Sequence, residues 1–190
     1  MSTARAGHAT AVPSGPDREY LRRAHRDNLA AIASGRLAAE RGHRDEVVDL
    51  GRRLLEEHTD LDTSLVGLAR DLDVPLPDTP GADLQAGLAR VVARSGPGLD
   101  AAWLALEVSA HRRALQAADT EQAAGSHAQV RALARTNGAR LRGHLDEIVR
   151  VAADLGVSLA AEGVDPGRPV PGDPAAAGRA PLEPGEAIRR

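Results

Sequence analysis

Apolar residues recur along most of this chain at steps of three and four, the spacing that gathers side chains on one face of an α-helix. Leu54, Leu61, Leu65, Leu68 and Leu72 form one stripe, Leu104, Val108, Leu115 and Ala118 a second, and Leu141, Ile148, Val151 and Leu155 a third. No segment alternates with the period of two that a strand requires. Polar residues interrupt each stripe where a leucine is expected: His58 in the first, His111 in the second, Asn137 and His144 in the third.

Start and stop signals divide the pattern into helices. A first helix is expected from Asp17, read as an N-cap after Pro16, to Gly42. Asp45 caps a second, running to about Asp73, where the proline-rich "VPLPDTPG" (74–81) forbids continuation. A short helix fits 83–94, broken by "SGPG" (95–98), and a longer one follows from Leu99 to Gln122. Ser126 and Gln129 read as an S-x-x-Q capping box that opens a last helix to Leu155, ended by Gly156. The small, polar lead (1–16) and the Pro- and Gly-dense tail (157–190) read as disordered flanks of a helical domain at 17–156. Stripes of this kind are the seams of antiparallel bundles. The expected fold is all-α: a four-helix bundle with a short extra helix in the connection between its second and third long helices.

Composition narrows the chemistry. All 24 basic residues are Arg, the net charge is -3, and Arg alternates with Asp and Glu on the polar faces, which argues against a nucleic-acid surface. Cysteine is absent, which removes disulfides, thiolate metal sites and cysteine nucleophiles. No stretch approaches the ~20 apolar residues of a membrane span, and no signal-peptide core opens the chain, so a cytoplasmic location is expected. Among the aromatic residues only Tyr20 and Trp103 occur, the latter expected in the core beside Leu99 and Leu106. Alanine-rich seams allow close helix approach and could equally serve a homodimer.

The seven histidines are the unusual feature. His8, His43 and His127 fall in the lead or at helix junctions, where exposure is expected, and His25 lies one place off the first stripe. His58, His111 and His144 each replace an apolar seam residue, one on each of three helices. In one reading these imidazoles converge with a carboxylate on a divalent metal ion. In the other each is a buried polar residue bonded to a neighbouring carboxylate or carbonyl. Helical spacing offers Asp62, Glu107 and Glu147 as partners.

In an antiparallel hairpin, two residues are level when their midpoint is the centre of the connection. Asn28 and His58 meet this about residue 43 and should face each other. His111 and His144 have their midpoint three residues past a connection centred near 124.5, an axial offset of about 9 Å. That disfavours one three-histidine site and leaves Glu107 and His144 as the level pair. Irregularity at "TNG" (136–138) would relax the offset. A carboxylate-bridged di-iron site is excluded, because it needs two Glu-x-x-His motifs within helices and only Glu40–His43 has that spacing. No phosphate loop, G-x-S-x-G or His-Glu-x-x-His sequence occurs.

In their order along the chain, "DREYLRRAHRDNLAAIASGRLA", "EEHT", "LPDTP", "GPGLDAAWLALEVSAH" and "RLRGHL" resemble the ferritin-like bacterial domain-of-unknown-function family 4142. Many of its members are described as outer membrane or secreted proteins. The resemblance spans residues 17–155 and implies a ferritin-like bundle, with Asn28, Gly35, Leu37, His58, Asp100, His111 and His144 at matching positions. It also implies a periplasmic or secreted location if a signal precedes the sequence as written. The chain departs from the family at Ala31, where members carry an acidic residue, and at Leu99, where they carry an aromatic.

Three functional expectations follow. The first is a non-catalytic bundle with a structural, binding or stress-related role. The second is a mononuclear metal-binding or redox protein using His58, His111, His144 and Glu107, with Asn28 as a core polar neighbour. The third is a module that docks a partner protein through a helix face or the tail.

Overall fold

The computed structural model describes residues 12–159, and among these there are five α-helices and no strand. They are α1 (Gly15–Arg41), α2 (Asp45–Asp71), α3 (Ala82–Val92), α4 (Gly96–Ala124) and α5 (Ala128–Asp154). Residues 1–11 and 160–190, which include most of the expected lead and tail, lie outside the described residues. Val157 and Leu159, assigned to the tail on sequence grounds, pack instead against the core. No described helix is long and apolar enough to cross a membrane.

α1 and α2 form an antiparallel pair across a three-residue turn, α4 and α5 form another, and α1 packs on α4 as α2 packs on α5. The first pair is held at very short range by two glycines. A Cβ on Gly35 would lie 2.8 Å from the Gly51 carbonyl oxygen and 2.9 Å from the Leu55 amide nitrogen. α3 lies against α4 and α1, and the Arg41 guanidinium of α1 donates to the carbonyls of Val92 and Arg94 at its C-terminal end. The α2–α3 connection starts earlier than expected because Asp73 takes a left-handed conformation (φ 52°), which ends α2 at Asp71.

Two carboxylates tie the helix pairs together at opposite ends. Ser14, not Asp17, is the N-cap of α1, and Asp17 sits three residues on as the acidic half of a capping box. The same Asp17 carboxylate also accepts from the amides of Ser126 and His127, each at 3.0 Å, and from the Ser126 hydroxyl. Ser126 is therefore turned to α1 and does not cap α5; His127 is the N-cap, without a side-chain hydrogen bond. At the other end Asp100, in the first turn of α4, accepts from the amides of His43 and Arg44 between α1 and α2. Each buried carboxylate at a helix start thus satisfies backbone donors of the opposite pair's turn.

The apolar core is split in two. One cluster, with Leu50, Leu54, Leu99, Trp103, Leu104 and Ile148 among its members, lies toward the Asp100 end. The other, with Tyr20, Leu21, Leu65, Ala118, Val130 and Ala134, lies toward the Asp17 end. Between them every long helix carries buried polar residues: His25 and Asn28, His58, Glu107 and His111, Asn137 and His144.

Two predictions follow from these contacts. Gly35→Ala forces a methyl against backbone that has nowhere to move and should cost about 1–3 kcal/mol, read as a lower urea midpoint. The second concerns Glu121, whose pKa is pushed up to about 7 by burial and by the neighbouring Asp17. Burial opposes ionisation of Asp17 too, but its hydrogen bonds from Ser14, the His127 amide and Ser126 outweigh it and hold that carboxyl well below the usual range. A raised carboxyl pKa contributes stability that is complete below its ordinary value of 4.5 and is lost as pH rises through the folded value. Glu121→Gln should therefore gain stability relative to the parent between pH 5 and about 8; parallel urea curves at both ends of that range would refute it.

A buried three-histidine cluster at the middle of the helices

His58, His111 and His144 are each under 5% exposed and come from α2, α4 and α5. Their ring centroids lie 5.1–5.5 Å apart, and each offers a ring nitrogen within 4.8 Å of the other two. The offset expected between His111 and His144 is overturned. The α4–α5 connection is Gly125–His127, centred at 126, so the two residues differ in level by about 4.5 Å. Imidazole side chains span that distance, and α5 runs unbroken through residues 136–138.

Hydrogen bonds fix which nitrogen each ring turns inward. Asn28 Nδ2 donates to the Asp62 carboxylate, so Asn28 Oδ1 faces His58 Nδ1 at 3.0 Å and must accept its proton. His111 Nδ1 lies 2.9 Å from the Glu107 carbonyl oxygen and donates to it. His144 Nε2 lies 2.7 Å from Glu57 Oε2, again an acceptor. His58 and His111, so placed, donate from Nδ1 and carry a lone pair on the remaining nitrogen, while His144 donates from Nε2 and turns Nδ1 inward. The inward nitrogens are Nε2 of His58, Nε2 of His111 and Nδ1 of His144. The two Nε2 atoms face each other at 3.4 Å, and His144 Nδ1 is buried without a hydrogen-bond partner.

Burial, then the neighbouring His111 and His144, push the pKa of His58 far below its ordinary value. Burial likewise lowers His111 to about 4, with His144 adding to the shift. Protonation is thus opposed at the two opposed nitrogens. The hydrogen bond from His144 holds the Glu57 carboxyl low, assisted by Arg140 and Arg53 against partial burial.

The expected carboxylates are placed differently. Glu107 does not join the converging nitrogens: Oε1 accepts from the Ser34 hydroxyl, and Oε2 lies 3.4 Å from His111 Nδ1, behind that ring. Ser34 in turn accepts from Trp103 Nε1 at 2.9 Å, so Trp103 is a core residue with a polar tether. Burial pushes the Glu107 carboxyl up to about 7. The anticipated Glu107–His144 pair is replaced by Glu57–His144. Asp62 bonds His25 at 2.7 Å and Asn28, not His58, and Glu147 pairs with Arg53 and Arg150. His25 and His127 are buried, the latter contrary to expectation.

Glu57, Ser34 and the His25–Asp62 pair were not among the sequence candidates for His144 and Glu107. Glu57 bridges α2 to α5, helices not joined by a turn, so no midpoint rule reaches it. Its position beside His58 was the only available signal.

These features define an all-helical protein with a buried histidine cluster between two apolar cores. The chain belongs to the DUF4142 family, a domain of unknown function whose model matches residues 2–151. No curated protein and no solved structure matches it.

His58→Leu removes one of two opposed lone pairs and fills a seam position. In chelator-treated protein the unfolding free energy should stay level or rise by up to about 1 kcal/mol. A loss above roughly 3 kcal/mol in urea denaturation would show that the cluster is a net stabiliser by itself.

Proposed function

We propose that this chain is a mononuclear metal-binding protein in which His58, His111 and His144 hold one divalent ion through Nε2, Nε2 and Nδ1. The observation that carries the reading is the set of three inward ring nitrogens, converging and buried. A purely structural role accounts for the outward nitrogen of each ring and leaves two lone pairs facing each other at 3.4 Å, with His144 Nδ1 buried beside them without a partner. A cation at their centre satisfies all three at once.

The dimensions agree. Nitrogens bound at 2.0–2.1 Å to a tetrahedral ion are about 3.3–3.4 Å apart, and the two Nε2 atoms stand at 3.4 Å. Metal-bound histidines characteristically donate their second nitrogen to a carbonyl or carboxylate, which orients the ring; Asn28, the Glu107 carbonyl and Glu57 take those places. Imidazole donors suit Zn, Cu, Fe or Ni. The supporting frame is read as a ferritin-like antiparallel four-helix bundle of α1, α2, α4 and α5, with α3 in the long connection. The ring of helix contacts and the two carboxylate ties favour that arrangement.

Plasma mass spectrometry of tag-free protein, purified without chelator, should find about one equivalent of metal. Added Zn²⁺ or Co²⁺ should raise the melting temperature of stripped protein, by the equivalent of about 2.7 kcal/mol at a hundredfold excess over Kd. His144→Ala should abolish both effects. Substoichiometric metal together with unmoved melting curves for every ion would return the histidines to a packing role.

A further inference from the structure

A cavity of about 30 Å³ lies between α1, α3 and α4. Its partly exposed walls are Ala30 and Ala31 of α1, Ala110 and Ala114 of α4, and Leu84 and Leu88 of α3. Its buried lining includes His58, His111 and Glu107. The cavity therefore joins a surface patch of small apolar residues to the cluster itself.

We propose that this cavity binds an uncharged diatomic molecule, which reaches through it to coordinate the ion held by His58, His111 and His144. The inference rests on the metal site proposed above and names the ligand class which that site admits. Size is the first argument. A single water needs roughly 10–15 Å³ by this measure, so the space suits two or three heavy atoms. Organic ligands occupy pockets of about 300–1,000 Å³. Polarity is the second: the partly exposed walls are mostly alanine and leucine, and no arginine lines the cavity to hold an anion. Coordination is the third, because three ring nitrogens leave a fourth tetrahedral position open. The alanines matter because they face each other from two packed helices, where any larger side chain would close the gap.

Nitric oxide added anaerobically to Fe(II)-loaded protein is the test, with metal content measured first. The parent should form a stoichiometric iron–nitric oxide adduct, read by its electron paramagnetic resonance signal. Ala110→Leu and Ala31→Leu fill the cavity from different helices at partly exposed sites that a folded helix tolerates. Both should retain iron and slow adduct formation at least about ten-fold. A parent that holds iron and forms no adduct overturns this inference while leaving the metal site standing. Filled variants reacting at the parental rate overturn it too, as does azide binding to Co(II)-loaded protein as readily as nitric oxide binds the Fe(II) form. A parent without metal removes both readings, and the metal measurement reveals that before any gas is added.

Discussion

Two imidazole nitrogens held face to face at 3.4 Å, both in their lone-pair form, are the constraint around which the centre of this protein is arranged. In water such a contact would not persist, because either ring could turn or take a proton. Here neither escape is open. Rotation is blocked by the bonds of the outer nitrogens to Asn28 and to the Glu107 carbonyl. Protonation is opposed by burial, which lowers both pKa values. The outer bonds are themselves anchored: Asn28 by Asp62, which also holds His25, and Glu107 by Ser34 and Trp103. Three long helices, α1, α2 and α4, contribute to this scaffold, so the opposition is a product of their packing together.

Such a layer is expensive to bury, and the fold is built so as not to depend on it. Apolar clusters at both ends supply the hydrophobic stabilisation. Asp17 and Asp100 close the turns of the opposite helix pairs, each with backbone hydrogen bonds. The Gly35–Gly51 contact sets the approach of α1 to α2. With the ends fixed independently, the middle is free to hold groups in an arrangement that does not favour stability. Local unfavourable choices embedded in an otherwise consistent structure are the pattern of functional sites.

Periodicity exposed the helices because each one buries a single continuous stripe, and punctuation by Pro and Gly exposed their number. The ends were less legible for identifiable reasons. Asp17 looks like an N-cap, but Ser14 lies three residues before it, and the Gly-Pro between them fits the first helical positions, where no donor is needed. Ser126 has the spacing of a capping residue, yet its hydroxyl and amide are claimed by a carboxylate more than a hundred residues away. The second error comes from competition by a distant partner, which local pattern cannot register.

The histidine cluster was legible as residues and illegible as geometry. Asn28 and His58 could be paired because they belong to consecutive helices about a well-defined turn. His111 and His144 obey the same rule, but the last turn of α4 runs to Ala124, and that small shift of the turn's centre halves their offset. The deeper obstacle is that each ring is aimed by a different kind of partner. His111 is tied to a carbonyl of its own helix four residues back, so its Nε2 must extend away from the helix. His58 is tied across to α1. His144 is tied through its far nitrogen to α2, which leaves Nδ1 toward the centre. The inward set of two Nε2 and one Nδ1 is therefore fixed by helix packing on three sides, and no spacing along any one helix could have spelled it.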